Sequence, residues 1–188
     1  MPKVAIVGPS EEKWTSKQKS KAESEIYKIF FKNLKGYHYE EESYGGFIGL
    51  KTQFDFNDLT LISGACPKGG VDIWAEEIAD INHIKKQIFN PEVNQWNDKV
   101  ECNGKEFTSN HIHKVLMGYK SRNIKIAEAC DVLYCVVPHN RIGLNLTPYN
   151  PICYCKHCDV WGHPTNGGCW TMKYAKKLGK ETHLIVIE

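Results

Sequence analysis

Five short apolar runs separated by helical patterns constrain this chain more than any other feature. The runs occupy residues 4–7, 59–63, 84–89, 132–137 and 184–187, and none of them alternates regularly between apolar and polar residues. Such runs are typical of strands that are covered on both faces. Because a helical pattern follows each of the first four runs, the order predicts βαβ units and a mostly parallel central sheet of about five or more strands.

In residues 22–34, 71–78, 112–127 and 171–178, apolar residues recur every three or four positions, which is the spacing of one face of a helix. Helices of this kind cover both faces of a parallel sheet. We therefore expect an α/β, Rossmann-like three-layer sandwich. A single domain over residues 1–188 is expected, because α/β domains commonly contain roughly 100–200 residues.

Two segments lack a clear period. Residues 36–56 are aromatic, acidic and glycine-containing, and predict an irregular excursion or a short hairpin. Residues 138–169 form a long insertion before the last helix. Loops of this length are uncommon unless they are functional or held together by another interaction. A bound metal is the expected fastening here.

The eight cysteines divide into a scattered group and a cluster. Cys66, Cys102, Cys130 and Cys135 are scattered, whereas the other four lie between residues 153 and 169. The chain begins MPKVAIVGPS, without an apolar signal core, and it contains no run of the ~18 apolar residues that a membrane span needs. We expect a cytoplasmic protein with no membrane segment, in which clustered thiols are metal ligands rather than disulfides.

The cysteine cluster has the spacing of a zinc site. A C-x-x-C pair places two thiolates at the ends of a tight turn, and zinc prefers four Cys or His ligands. We predict a structural zinc ion held by Cys155, Cys158, His163 and Cys169. Cys153 is the alternative fourth ligand if Cys169 instead points into a ligand crevice, and His157 is expected to be exposed. Reduced cysteines without metal are the other interpretation.

Small residues follow two predicted strands and precede the last helix. The turns read Gly8-Pro9-Ser10, Ser63-Gly64-Ala-Cys-Pro-Lys-Gly69-Gly70-Val-Asp72 and Asn166-Gly167-Gly168-Cys-Trp-Thr171. None matches the dinucleotide fingerprint or the Walker A loop, and each alone is typical of a tight turn. Ligands of parallel sheets bind outside the carboxyl ends of the strands, where helix N-termini favour anions. Together the turns therefore predict a phosphate-binding crevice.

These turns resemble those of the SLOG superfamily, which includes the Lonely Guy phosphoribohydrolases and DNA-processing protein A. The resemblance rests on Gly8-Pro9-Ser10, on ISGACPKGGVD at residues 62–72 and on YKSRN before AEACDVLYCVV, and it spans nearly the whole chain. It implies a nucleotide crevice lined by Gly64, Gly69, Gly70 and Asp72, with Arg122 and Asn123 facing the phosphate or sugar.

The chemistry of these side chains agrees with that placement. An arginine presents a fork of donors to phosphate oxygens, and an aspartate can accept from a ribose hydroxyl. The full predicted nucleotide site contains residues from every turn: Gly8, Pro9, Ser10, Ser63, Gly64, Gly69, Gly70, Asp72, Arg122, Asn123, Gly167, Gly168 and Thr171. The structural alternatives are a surface salt bridge for Arg122 and a helix-start carboxylate for Asp72.

Catalysis is left open by one departure from the family pattern. Lonely Guy enzymes carry P-G-G-x-G-T-x-x-E, whose glutamate supports cleavage of an N-glycosidic bond, whereas here Tyr174 stands at the glutamate position and Trp170 at a glycine. A phenol with a pKa near ~10 is a poor general base. The catalytic candidates are therefore Asp72 and Arg122, with Glu76, Glu77 or a Cys66 thiolate as alternatives.

Three functional hypotheses follow from the sequence. The first is a nucleotide-binding protein, acting as a sensor or in nucleotide processing, and the second is an N-glycosidic hydrolase of nucleoside monophosphates. The third is a zinc-knuckle adaptor that contacts nucleic acid or protein through Lys156, His157 and Trp161. With Lys+Arg 24 against Asp+Glu 22, the near-neutral charge argues against nucleic acid. Apolar residues on an edge helix are compatible with a homo-oligomer.

Overall fold

A computed structural model describes residues 1–34, 41–44, 47–50, 58–66, 68–90, 100–102, 105–107, 112–139, 154–163 and 166–188. The elements in chain order are β1 (Lys3–Val7), a 3-10 turn (Glu11–Lys13), α1 (Ser16–Asn33), β2 (Glu41–Tyr44), β3 (Phe47–Leu50), β4 (Thr60–Ser63), α2 (Val71–Ile81), β5 (Lys85–Ile88), β6 (Val100–Cys102), β7 (Lys105–Phe107), α3 (Ile112–Ala129), β8 (Val132–Pro138), β9 (Tyr154–Cys155), β10 (Val160–Trp161), α4 (Gly167–Lys177) and β11 (Glu181–Ile187).

The central sheet has the strand order β11-β8-β1-β4-β5, and every neighbouring pair is parallel. All five predicted strands are in it, so the predicted α/β fold with a parallel sheet is confirmed. The order corresponds to the first five strands of the doubly wound Rossmann order 3-2-1-4-5-6, in which the chain builds outward from β1 to one side and then crosses to the other. The strand order therefore reverses between β1 and β8. Ligands of such sheets bind at this switch point.

Alternate residues of β1 serve opposite faces of the sheet. Val4 and Ile6 pack in the core formed with α1 and α2, whereas Ala5 and Val7 pack in the core formed with α3 and α4. This alternation follows from the period of two in a strand. Because both faces are covered by helices, the predicted three layers are present.

The expectation that every strand is covered on both faces is wrong for β5. Lys85, Lys86 and Gln87 are exposed at the edge of the sheet. The apolar residues that suggested a buried strand flank it: Ile84 is buried, and Phe89 is partly buried against the α3 and α4 side. Lysines on an edge strand discourage pairing with another chain.

In the part of the chain before α3 that the structure describes, two hairpins lie outside the central sheet. β2 and β3 form an antiparallel pair, as the short-hairpin alternative for residues 36–56 predicts, and the rest of that segment lies outside the described residues. The pairing of β6 with β7 was not predicted, because strands of three residues are too short to show a period. Within the described part of the chain, no helix combines the length and apolarity that a membrane span requires.

Candidate functional site

A crevice of about 430 Å³ opens beyond the end of β1, at the switch point of the sheet. Its walls come from the loop after β1, the β4–α2 turn, α3 and the start of α4. Of the predicted nucleotide-binding residues, those that line it are Gly8, Pro9, Ser10, Asp72, Arg122, Asn123, Gly167, Gly168 and Thr171. The fold thus brings residues that are far apart in sequence together at the carboxyl ends of the strands, where the ligand site was predicted.

Close backbone packing brings the start of α4 against the end of β1. A Cβ atom on Gly8 would lie 2.4 Å from the carbonyl oxygen of Val136 and 2.5 Å from Cγ2 of Val71. A Cβ atom on Gly168 would lie 3.0 Å from Cα of Gly8. Side chains at these two positions would push the walls of the crevice apart, so glycine is required there.

The first turn of α4 borders the crevice through Asn166, Gly167 and Gly168. Asn166 is the N-cap, and its Oδ1 accepts a hydrogen bond from the backbone N–H of Cys169 at 2.9 Å. A helix N-terminus carries a partial positive charge and free N–H groups. This side of the crevice therefore favours an anion.

Asp72 is a buried acid in the crevice wall. Burial raises its pKa to about 6, against the opposing effect of the Arg122 charge. The nearby Glu76 carboxylate raises the pKa further, whereas a hydrogen bond from the backbone N–H of Gly8 lowers it. A carboxyl group with this pKa exchanges protons near neutral pH, as general acids and bases do.

Arg122 is buried, so its interpretation as a surface salt bridge is wrong. Its Nη1 donates to the carbonyl oxygen of Gly64 at 3.1 Å, and its Nε and Nη2 donate to Oδ1 of Asn123 at 3.2 and 3.1 Å. Both side chains are less than a tenth exposed. The guanidinium therefore joins α3 to the β4–α2 turn while it lines the crevice.

The remaining predicted residues, Ser63, Gly64, Gly69 and Gly70, do not line the crevice. Ser63 is fully buried, and its hydroxyl donates to Oε1 of Glu76 at 2.5 Å. The same oxygen accepts from the backbone N–H of Ala65 at 3.1 Å. The Glu76 carboxylate thus holds the turn in shape and is not directed at a ligand.

The other catalytic alternatives also find little support in the geometry. Glu77 is exposed on α2 and does not line the crevice. Cys66 does line it, but burial and the neighbouring Asp72 raise the pKa of its thiol, which disfavours the nucleophilic thiolate. Tyr174 stacks on Trp170, with ring centroids 5.4 Å apart, and lines a different pocket.

Several crevice residues were not singled out in the sequence, although Lys68 and Asn166 lie within two of the predicted turns. Glu12 and Lys13 come from the 3-10 turn after β1, Lys68 from the β4–α2 turn, and Asn166 from the α4 cap. The Ser10 hydroxyl donates to Glu12 at 2.5 Å and lowers the pKa of that carboxyl, which lies near the positive charges of Lys68 and Lys13. The sequence signal that could have identified Glu12 and Lys13 is the occurrence of charged residues directly after the Gly8 turn.

The four predicted metal ligands form one cluster that could hold a metal ion. The ligand atoms of Cys155, Cys158, His163 and Cys169 all lie within 4.8 Å of one another. The Sγ of Cys158 is 3.1 Å from Nε2 of His163. In a tetrahedral zinc site with bonds of roughly 2.0–2.3 Å, ligand atoms lie roughly 3.3–3.8 Å apart, so small shifts would complete it. Cys153, the alternative ligand, lies outside the described residues.

A short hairpin presents the first two ligands. β9 and β10 pair so that Cys155 lies opposite Val160, and the turn between them closes with a hydrogen bond from the Asp159 N–H to the Cys155 carbonyl at 2.9 Å. Burial disfavours the Cys155 thiolate, but hydrogen bonds from the backbone N–H groups of Cys158 and His157, together with those from the Cys158 and Cys169 side chains, lower its pKa. The turn is therefore suited to hold a thiolate.

Cys169 connects the metal cluster to the crevice. It belongs to the first turn of α4, yet its side chain joins the cluster and does not line the crevice. Its Sγ lies 3.7 Å from Sγ of Cys135 on β8, and this contact and burial raise the pKa of the Cys169 thiol. The alternative in which Cys169 points into the crevice is therefore wrong.

Comparisons with known proteins add nothing to these observations, since no family model, curated protein or solved structure matches the chain. The fold and the two sites define its class: an α/β protein with Rossmann-type strand order, a polar crevice at the switch point and a Cys/His cluster beside it. The resemblance to the SLOG superfamily stays a prediction.

Proposed function

We propose that the crevice binds a nucleotide or nucleoside phosphate, and that the protein acts as a sensor or in nucleotide processing. The observation that carries the proposal is the meeting of the α4 first turn with the β1 end beside Asp72 and Arg122. This is the position at which Rossmann-type sheets bind ligands. The resemblance of these turns to the SLOG superfamily points in the same direction.

The dimensions and polarity suit such a ligand. A volume of about 430 Å³ lies within the range of roughly 300–1,000 Å³ that is typical of small-molecule sites. The phosphate would bind the N–H groups at the start of α4, near Gly8, and Lys13 and Lys68 would balance its charge. Asp72 would accept a hydrogen bond from a ribose hydroxyl.

The metal in this proposal is a structural zinc ion. Three cysteines and one histidine form a closed set of four, which is the composition of structural zinc sites. The ion would fasten the hairpin to the start of α4, and its binding would be coupled to folding of the inserted loop. Free thiols at this density fit the reducing cytoplasm, where we place the protein.

A second candidate function is hydrolysis of the N-glycosidic bond of a nucleoside monophosphate. It is favoured by Asp72, a crevice carboxyl group whose pKa of about 6 allows proton exchange at neutral pH. It requires Asp72 to act in place of the glutamate that Lonely Guy enzymes carry at the position of Tyr174.

A ligand screen of the zinc-loaded protein tests both functions. Thermal shift reports stabilisation by nucleotides and nucleoside phosphates, and mass spectrometry reports release of free base. A ligand that is bound intact supports the binding function, whereas a ligand that is cleaved supports the hydrolase, with the reaction lost in Asp72→Asn. If no phosphate-bearing nucleoside stabilises the protein, the proposal is wrong.

Two matched lysine substitutions test whether the ligand found in the screen binds in the crevice. Lys13→Gln removes a positive charge that lines the crevice, and Lys17→Gln removes one from the exposed start of α1. We expect the first variant to bind the identified ligand about three- to ten-fold more weakly, in line with one partly exposed charge contact, and the second to bind it normally. Equal affinities would place the ligand elsewhere.

A further inference from the structure

A second pocket lies on the outer side of α4, away from the crevice. It has a volume of about 260 Å³ and is lined by His157, Trp170, Lys173, Tyr174 and Lys177. We refer to these five residues as the α4 pocket. The prediction that His157 is exposed is wrong, because the residue is partly buried and lines this pocket. Neither the nucleotide proposal nor the metal cluster uses the pocket.

Stacked aromatic rings form one wall of the α4 pocket. Trp170 and Tyr174 are one helical turn apart, and their rings are nearly parallel, with an interplanar angle of 6°. A second pair lies on the hairpin whose tip carries His157: the rings of Tyr154 and Trp161 are 4.9 Å apart, and the two residues are 42% and 62% exposed. Exposed rings of this kind are surfaces on which planar groups stack.

The segment that forms the pocket has an excess of positive charge. Residues 154–180 contain lysines at positions 156, 173, 176, 177 and 180 and a single acidic residue, Asp159, whose carboxylate accepts a hydrogen bond from the Tyr154 hydroxyl. Among the residues that the structure describes, no carboxylate forms an ion pair with Lys173 or Lys177. The near-neutral total charge of the chain thus conceals a cationic region that complements a polyanion.

We propose that the α4 pocket and the adjoining hairpin bind single-stranded nucleic acid. Lys173 and Lys177 would contact backbone phosphates, while a base stacks against the Trp170 and Tyr174 rings. Lysines beside partly exposed rings are the combination that single strands require, because their bases are free to stack. An acidic peptide would use the lysines but has no need of the rings.

The direct test is fluorescence anisotropy of the metal-loaded full chain with labelled fifteen-nucleotide oligothymidylate and oligouridylate. We expect binding that weakens with salt, with a slope of about −0.7 for each phosphate contacted. The double variant Lys173→Gln/Lys177→Gln should bind at least about ten-fold more weakly and show a shallower slope. The control Lys32→Gln/Lys85→Gln removes the same charge from exposed positions on α1 and β5 and should bind normally.

The aromatic contribution needs a variant that folds normally. Trp161→Ala alters a largely exposed ring on the hairpin, so metal content and melting temperature should be unchanged while affinity falls several-fold. Trp170→Leu tests the pocket itself, with metal content as the check on folding. If both variants bind the oligonucleotides as tightly as the unaltered protein does, the proposal is overturned, because the lysines then attract any polyanion.

Two further outcomes separate this surface from the crevice and from lipid. A saturating nucleoside monophosphate and the Lys13→Gln variant should leave oligonucleotide binding unchanged, so this proposal and the crevice proposal succeed or fail separately. Competition between the two ligands would assign the oligonucleotide to the crevice and overturn the inference. Tighter binding to phosphatidylserine-containing vesicles than to oligonucleotides, or no oligonucleotide binding at low salt, would also overturn it.

Discussion

The crevice and the metal cluster are neighbours that are built in opposite ways. The crevice gathers Gly8, Asp72, Arg122 and Gly168 from four distant segments, and buried backbone contacts and hydrogen bonds hold it together. The cluster takes three ligands from one short hairpin segment and only Cys169 from α4. The fold thus forms the crevice, whereas the cluster is formed mainly by one local segment, which a bound ion would hold together.

The crevice and the metal cluster meet at the start of α4. Gly167 and Gly168 border the crevice, and the next residue, Cys169, belongs to the cluster. A change in the cluster would therefore reach the crevice through a single turn of helix. Substitutions at either region show how strongly the two depend on each other, from the largest expected effect to the smallest.

Removal of the proposed zinc ion should have the largest effect. Structural zinc sites bind their ion with about 10–16 kcal/mol in isolated peptides, so the hairpin should open in Cys155→Ser or after chelation. We expect loss of bound metal, faster amide exchange over residues 154–163 and a crevice affinity lowered about ten-fold. Metal analysis, hydrogen exchange and calorimetry measure the three effects.

Cys130→Ser provides the matched control. Cys130 is also buried, but burial raises the pKa of its thiol to about 11 and its Sγ lies 3.4 Å from the Ala127 carbonyl oxygen, away from the cluster. This variant should keep its metal and its ligand. Unchanged crevice affinity in metal-free protein would contradict the coupling between the two regions.

Gly8→Ala should damage the crevice and destabilise the fold. The added methyl group would meet the Val136 carbonyl oxygen and the Val71 side chain at less than 3 Å, and such overpacking costs about 1–3 kcal/mol or more. In Gly167→Ala, the nearest atom is Asn123 Nδ2 at 3.5 Å, an ordinary contact. Urea denaturation should therefore show a large loss of stability for the first variant and under about 1 kcal/mol for the second.

Asp72→Asn should stabilise the protein at neutral pH. Because folding raises the pKa of Asp72 from 3.8 to about 6, the folded chain binds more protons than the unfolded chain between these values. Its stability therefore falls as pH rises through that window, by about 1–3 kcal/mol. The amide removes this loss, so denaturation should show a more stable variant at pH 7 and no advantage below about pH 3.5.

Glu77→Gln is the control for that measurement, because it alters an exposed carboxylate on the same helix. It should change stability by less than about 0.5 kcal/mol at either pH. A stability advantage of Asp72→Asn that is equal at pH 3.5 and pH 7 would show that ionisation of Asp72 is not its source.

Asn166→Ala should have a small effect that reaches both regions. Loss of the α4 N-cap costs about 1 kcal/mol, as it should in Thr15→Ala, which removes the capping side chain of α1. Only Asn166→Ala should also weaken both metal retention and ligand binding. If Asn166→Ala and Thr15→Ala show the same ligand affinity in calorimetry and the same metal retention against a chelator, the start of α4 does not couple the two sites.

The sequence was informative where the interactions are local. All four residues of the Cys/His cluster could be predicted, because a C-x-x-C turn and its neighbours are specified by spacing along one segment. The five strands could be predicted from their apolar runs, but the exposure of β5 could not, because periodicity does not reveal which strand will be at an edge.

The crevice shows where such prediction ends. The glycine turns indicated its location. The hydrogen bonds from Arg122 to the Gly64 carbonyl and from Ser63 to the Glu76 carboxylate, however, join segments that meet only after the sheet has formed. The proximity of Lys68 to Glu12 has the same origin. Residue type and spacing carry no information about such long-range pairs.

The central claim is that the crevice grips the phosphate of a nucleotide, and calorimetric titration of the zinc-loaded protein tests it most directly. Each common nucleoside 5′-monophosphate is compared with the nucleoside that lacks the phosphate. We expect at least one monophosphate to bind, its nucleoside to bind ten-fold or more weakly, and both to lose affinity in Gly8→Ala. No binding by any monophosphate, or equal affinity for ester and nucleoside, would contradict the claim.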